Sequence, residues 1–264
     1  MDNLLSVVTA SIPLVMVALV IIPARVANSL VLELRRAVTV LASVQLGVGV
    51  ALVGVVAYRS ALTSSNPAIV LQPWGANAAG TLWIDGVSAL MFLMVSFVGW
   101  TICRYSVRYL DGDASQGNFF RWSAFVLGTV SLMVVSGDLI TFVMAWIGTS
   151  VGLHHLLLHF RDSPAAKRAA WTKFSVIRIG DVALLFAAWV LFLETDTISL
   201  REIFASVSAE GLNVVNLQVA AALLVLAAIV KSAQVPFHTW LPQTMETPTP
   251  VSALMHAGVI NAGG

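Results

Sequence analysis

The sequence predicts an all-α membrane protein, a polytopic bundle of transmembrane helices with seven spans, the start of an eighth and a break in the seventh. Three observations carry that expectation. Of 264 residues, 58% are hydrophobic and only 10% are charged, whereas water-soluble domains carry about 25% charged residues. The apolar residues gather into runs of about 20, the length that crosses the hydrocarbon of a bilayer. The cations alternate from one connecting segment to the next, as they do in proteins threaded repeatedly through a membrane.

The first run, Leu4 to Ile22, has Asp2 ahead of it, no basic segment before it and no small-residue cleavage site after it. It reads as a retained helix rather than a secretory signal. The second and third runs are Ala37 to Ala57 and Gly86 to Cys103. Between Arg121 and Arg161 the only charge is Asp138, so that stretch must cross twice, as Trp122 to Gly137 and Leu139 to Phe160, with its hairpin and a membrane surface at Asp138. The sixth run is Phe174 to Leu193, the seventh Leu217 to about Pro236, and an eighth begins near Thr249. The sequence stops at Asn261-Ala262-Gly263-Gly264 inside the eighth run. That is expected of a fragment, or of a protein that completes its bundle with another copy or a partner. Residues 1–264 are expected to form one integral membrane domain.

Of 14 Lys and Arg, ten fall in odd-numbered connections: Arg25, Arg35, Arg36, Arg104, Arg108, Arg121, Arg161, Lys167, Arg168 and Lys173. Two, Arg59 and Arg201, fall in even ones, and Arg178 and Lys231 fall within spans. The positive-inside bias puts the odd connections in the cytoplasm and the N-terminus in the periplasm of a bacterial inner membrane.

Several function classes are disfavoured. The net charge of +1, with cations scattered between apolar runs, forms no stripe for nucleic acid. Cys103 is the only cysteine, so no internal disulfide and no cysteine-ligated zinc or iron–sulfur site can be built, and any redox cofactor must belong to a partner. No phosphate-binding glycine loop or nucleophile elbow is present. The chain is expected to hold no cofactor and to be no enzyme by itself.

Lys231 follows an uncharged run from Gly211 to Val230. Burying that ammonium near the membrane centre costs about 2.5 to 3.5 kcal/mol on insertion scales. It either snorkels to the interface or serves as a proton relay, a group that gains and loses a proton as its surroundings change. Pro236 cannot donate a backbone hydrogen bond and is expected to break the helix just beyond the lysine. Irregular backbone at that depth requires a protein or water environment, hence a hydrated cavity. His238 lies two turns further on, as an interfacial histidine or a second relay group. His256, after Pro248-Thr249-Pro250, is a packing residue or a relay. Arg178 and Asp181, spaced i, i+3, form a structural ion pair or a gate. His154, His155 and His159 close the fifth span, with the last two one turn apart. No carboxylate accompanies them on that helix, which disfavours zinc. Favourable placement at a helix C-terminus, proton access and partner contact remain open.

The segment Lys231-Ser-Ala-Gln-Val-Pro-Phe-His238-Thr-Trp240-Leu-Pro242, followed by Met245-Glu246-Thr-Pro248-Thr-Pro250-Val-Ser252-Ala-Leu-Met-His256, resembles the signature of the antiporter-like subunits of respiratory complex I and of Mrp-type antiporters. Leu82-Trp-Ile-Asp85-Gly86, Tyr105, Tyr109, Gly112, Phe119-Phe120, Asp138-Leu139, Ala145-Trp146 and Arg178-Ile-Gly-Asp181 extend the resemblance over most of the chain. It implies a proton-carrying Lys231 on a broken helix and His256 on the same polar path. One position departs from the family: Ile147 follows Trp146 where relatives usually place the glutamate that partners the lysine. Trp146-Ile-Gly-Thr149-Ser150-Val-Gly152-Leu-His154-His155 and His256-Ala-Gly-Val-Ile-Asn261-Ala-Gly-Gly264 look more like the DabB-type membrane subunits of inorganic-carbon pumps. That likeness implies a soluble DabA-like partner, related to zinc carbonic anhydrases, that carries out CO2 hydration while cations cross the membrane here. Carboxylate-poor spans favour protons over sodium. The rival readings are a proton-pumping subunit of an NADH dehydrogenase and a purely structural anchor.

Overall fold

A computed structural model describes residues 2–62, 68–71, 80–159, 163–209, 212–242 and 247–259. Six helices are long and apolar enough to cross a membrane: α3 (Val31–Leu62), α4 (Gly86–Tyr109), α5 (Gln116–Val135), α6 (Leu139–Leu157), α7 (Pro164–Thr195) and α9 (Val214–Lys231). The first predicted span is α1 (Asp2–Ala18), prolonged by a 3-10 turn to Ile21, and is shorter than the rest. Short helices α2 (Ala24–Ser29) and α8 (Leu200–Ser208) lie between spans, and α10 (Thr249–Ala253) runs into a π-helical turn, Leu254–Val259. The remainder of the predicted eighth run, 260–264, lies outside the described residues, as do Met245 and Glu246 of the signature.

The outer surface is what a bilayer requires. Val44, Phe97, Met144, Phe186 and Trp189 are all exposed large apolar side chains on spanning helices, a coat that water would penalise and lipid accepts. Helix α5 is the central post, with Phe119, Phe120, Ala124, Val126, Leu127 and Val130 all buried. A β-carbon on Gly128 would stand 2.5 Å from the Pro13 carbonyl, and one on Gly117 would stand 2.0 Å from the Ala27 carbonyl. Those glycines therefore let α1 and α2 lie against α5. Inside the bundle, Gln45 of α3 donates to Ser96 of α4 at 3.2 Å and to Ser131 of α5 at 2.7 Å. Buried polar bonds of this kind tie helices together where lipid supplies no alternative partner.

The two ends are built differently. At one end the odd-numbered connections meet: Arg35 pairs with Asp111 at 3.2 Å, and His159 with Asp113 at 3.1 Å. The Asp113 carboxyl is partly buried, which alone would raise its pKa, but bonds from the Ser115 N–H and the His159 imidazole prevail and hold it below 3.8. At the opposite end, strands β1 (Ile69–Leu71) and β2 (Leu82–Ile84) pair antiparallel, with Ile69 opposite Ile84. The α5–α6 turn joins them. Asp138 caps α6 through Thr141 N–H at 2.7 Å and also accepts from Gly80 N–H at 2.9 Å, while Leu139 N–H donates to Ile198 O at 2.8 Å. The hairpin expected at Asp138 is thus present, although the side chain is buried rather than open to the surface.

Three expectations need correction. Lys173 belongs to no loop; it sits within α7, 1% exposed. Of the other nine odd-connection cations, Arg35, Arg36, Arg104, Arg108, Arg121, Lys167 and Arg168 also lie in the first or last two turns of spanning helices, Arg25 lies in α2, and Arg161 lies outside the described residues. The seventh predicted span ends at Lys231, five residues before Pro236. Ala233 there adopts left-handed φ of 53°, and Gln234 N–H reaches Ile229 O at 3.0 Å, a Schellman closure of the helix. His155 and His159 do not share a helical face, because α6 stops at Leu157.

Candidate proton-relay site

Three helices assemble the site around Lys231. Helices α7 and α9 approach closely at Gly180, where an added β-carbon would meet Val230 at 3.2 Å. Lys231, in the last turn of α9, thereby reaches the middle of α6. Its Nζ donates to Thr149 Oγ1 at 2.6 Å, Ser150 Oγ at 3.1 Å and the Trp146 carbonyl at 3.1 Å, and lies 4.5 Å from the centre of the Trp146 ring. The carbonyl serves because Trp146, Thr149 and Ser150 stand one turn apart on one helical face. Lys231 is 4% exposed and does not snorkel.

The counter-charge comes from α7. Trp146 Nε1 donates to Asp181 Oδ1 at 2.9 Å, and Arg178 Nη2 lies 2.5 Å from Asp181 Oδ2. The Arg178 guanidinium also stacks over Phe174 at 4.6 Å. Trp146 thus joins the Asp181 carboxylate, through its indole, to the backbone carbonyl that holds Lys231. Position 147 carries no carboxylate, and the acid tied to the site is Asp181 of α7. Ile147 itself packs, half-buried, against the apolar cluster of Val143, Trp146, Leu184 and Ala227.

The remaining sequence-predicted residues are dispersed. His238, in the 3-10 turn Phe237–Trp240, and His256, in the π-helical turn, are exposed on the chain's surface, as is Pro236. Neither histidine is among the groups that hold Lys231 Nζ. The three histidines at the end of α6 part company. His154 Nδ1 meets Ala170 O of α7 at 3.3 Å, the His155 ring stacks on Trp122 at 3.8 Å, and His159 takes the Asp113 contact. Among the described residues no group of three His, Cys, Asp or Glu is placed to hold a metal.

Sequence reasoning missed Lys173. It shares a buried stripe of α7 with Ala166, Ala169, Ala170, Ile177, Asp181 and Leu184, at the spacing of one helical face. The signal available was Ser163-Pro164, a cap followed by proline in the first turn, which starts α7 ten residues before the apolar run.

Comparison with known proteins fits this geometry. The family described as NADH:quinone oxidoreductase/Mrp antiporter, TM, matches residues 136–264, and the complex I chain 5 N-terminus family matches residues 75–120. The chain is 46% identical over 183 residues to a probable inorganic carbon transporter subunit DabB2 of Halothiobacillus neapolitanus, covering 69% of this chain and 33% of the relative. It is 33% identical over 189 residues to NADH-quinone oxidoreductase subunit L of Escherichia coli, covering 71% and 31%. It thus spans about a third of the length of these curated relatives. The fold matches a chain of the archaeal membrane-bound sulfane sulfur reductase with a TM-score of 0.82 at 17% identity, covering 99% of this chain and 51% of that one. A chain of the Mrp complex from Dietzia matches with a TM-score of 0.73 at 26% identity, covering 98% and 27%. The chain belongs to the antiporter-like membrane-subunit family shared by complex I, Mrp antiporters and the DabB proteins.

Proposed function

We propose that this chain is the proton-translocating part of an inorganic-carbon transporter in the bacterial inner membrane, working with a DabA-like zinc protein. One observation carries the reading: an ammonium buried at the middle of α6, held by two hydroxyls and a carbonyl and faced by the Arg178–Asp181 pair. A fixed structural charge would be matched by a carboxylate in direct contact. Lys231 instead has neutral acceptors, which release a proton-bearing group more readily than an ion pair does.

In this mechanism Lys231 is the central carrier. Asp181 is shared between Arg178 and Trp146. When Arg178 turns away, the carboxylate is left to balance Lys231; when Arg178 returns, that support weakens and the proton is freed to leave. The pair is thus a gate rather than a brace. His238 and His256 take the proton on the exposed side of the bundle, where further helices of the longer protein would cover them. His154, His155 and His159 stand at the cytoplasmic end, for proton access and partner contact. Hydration of CO2 belongs to the partner, whose consumption of CO2 the proton current drives. The names of the DabB relatives favour this reading over a dehydrogenase subunit, which the similarity to subunit L supports.

The experiment is growth at low CO2 of a host lacking carbonic anhydrase. The complete protein with its partner restores growth, and Lys231→Ala, inserted and partner-bound, does not. Growth with Lys231→Ala equal to the parent removes the relay. Purification with dehydrogenase subunits and no zinc protein moves the site to the rival complex.

A further inference from the structure

Lys173 is the buried charge that the proposed mechanism leaves unused. Its side chain is 1% exposed on α7, yet no hydrogen bond or ion pair to it is found among the described residues. Removing an ammonium from water without such partners costs several kcal/mol, so a permanently charged structural lysine is a poor account of it. About two turns along the same buried stripe of α7 lies Asp181, whose carboxylate is tied through Trp146 to Lys231. Among the described residues the acid of this cluster is Asp181, and its carboxylate is already engaged by Arg178 at 2.5 Å and by Trp146. With both lysines protonated, the cluster would hold like charges in a medium that screens them weakly.

The two lysines differ in what surrounds them. Lys231 has three acceptors and an aromatic face, and Lys173 has none of these among the described residues. The first is built to hold a proton; the second can accommodate a neutral amine and carry a proton only in passing. Their order along the bundle is also defined. Lys173 lies eight residues before Asp181, or about 12 Å nearer the start of α7. One turn further, Ala170 O meets His154 Nδ1 at 3.3 Å, and Lys173 is among the charges acting on that histidine.

We propose that Lys173 is a second proton-carrying residue, which exchanges protons with the Lys231 cluster and passes them to or from His154 at the α6–α7 end of the bundle. This rests on the relay role of Lys231. In the exchange, the Lys231 ammonium loses a proton and becomes a neutral amine while the Lys173 amine becomes the ammonium; total charge is unchanged and nothing is oxidised. The groups around Lys173 are His154 from α6, Arg178 and Asp181 from α7 and Lys231 from α9, with His238 exposed on the turn beyond.

The test uses the complete transporter in membranes, with coupled uptake measured against pH for Lys173→Met, Lys173→Arg and Lys173→His beside Lys231→Ala. Arginine keeps the charge and does not release its proton at any working pH. Both the Met and Arg variants are expected to slow uptake by about tenfold or more, whereas His restores part of the rate with a displaced pH profile. Parental uptake by Lys173→Arg would show that only a fixed charge is needed, and parental uptake by Lys173→Met that nothing is needed; either overturns the proposal. Should Met fail to accumulate, Arg and His decide the question at parental membrane levels. Loss with Lys231→Ala alongside normal Lys173 variants removes this inference only, while normal uptake by Lys231→Ala removes the reading beneath it.

Discussion

The Trp146 indole N–H donates to Asp181 Oδ1 over 2.9 Å, while the carbonyl of the same tryptophan accepts from Lys231. One residue of α6 therefore ties the carboxylate of α7 to the ammonium of α9. Trp146→Phe keeps a ring face beneath Lys231 and removes only the N–H donor. A bond to a charged group contributes about 1.5 to 3 kcal/mol, so the variant is expected to melt lower in detergent and to transport more slowly. Unchanged melting and transport would mean that Asp181 is positioned by Arg178 alone.

The α1–α5 contact predicts a second effect, on stability. Gly128→Ala brings a β-carbon to 2.5 Å from the Pro13 carbonyl, and backbone cannot yield as a side chain can. Overpacking of this kind costs about 1 to 3 kcal/mol, seen as a lower melting temperature in detergent. Gly54→Ala, with nothing near the added carbon, is the control and is expected to be neutral or mildly stabilising.

The His159–Asp113 contact, outside the spans, predicts a pH effect. Asp113 is held below its ordinary 3.8 in the fold, so folding favours its charged form. The stability it adds is fully present above the unfolded value and disappears as pH falls through the lower folded one. Asp113→Asn is therefore expected to melt lower than the parent near neutral pH, with the gap closing as pH falls below the ordinary carboxylate range. A gap that is constant with pH would mean that the carboxylate charge contributes nothing there.

Orientation is open to direct chemical test. The excess of cations on the odd connections predicts that single cysteines at Asp2 and Arg201 are labelled from the periplasmic side of intact cells, and one at Lys167 is shielded. The reverse pattern would invert the bundle.

Much of this architecture was legible because hydrophobic length and charge alternation are local properties of the chain. Helix ends were less so. The run from Lys167 to Lys173 carries enough charge to look like a loop, yet the charges face different sides of one helix: Lys167 and Arg168 are exposed and Lys173 is buried. The helix break was anticipated from Pro236, but its position depends on Ala233 in a left-handed conformation, which alanine does not announce. Strands β1 and β2 went unread, being too short to show a period, and α8, where Leu200, Ile203, Phe204 and Val207 repeat at helical spacing, is too short to read as a span. Lys231 was recognised by the cost of its burial. Its cradle of Thr149 and Ser150 was not, since a contact across 82 residues leaves no trace in spacing.

The central claim is that Lys231 must both take up and release a proton. Lys231→Arg preserves the positive charge and hydrogen-bond donors but holds its proton at every working pH. In vesicles containing the complete transporter at parental levels, proton-coupled uptake by Lys231→Arg is predicted to fall to the level of Lys231→Ala. Uptake at the parental rate would show that a fixed charge suffices, and would contradict the relay.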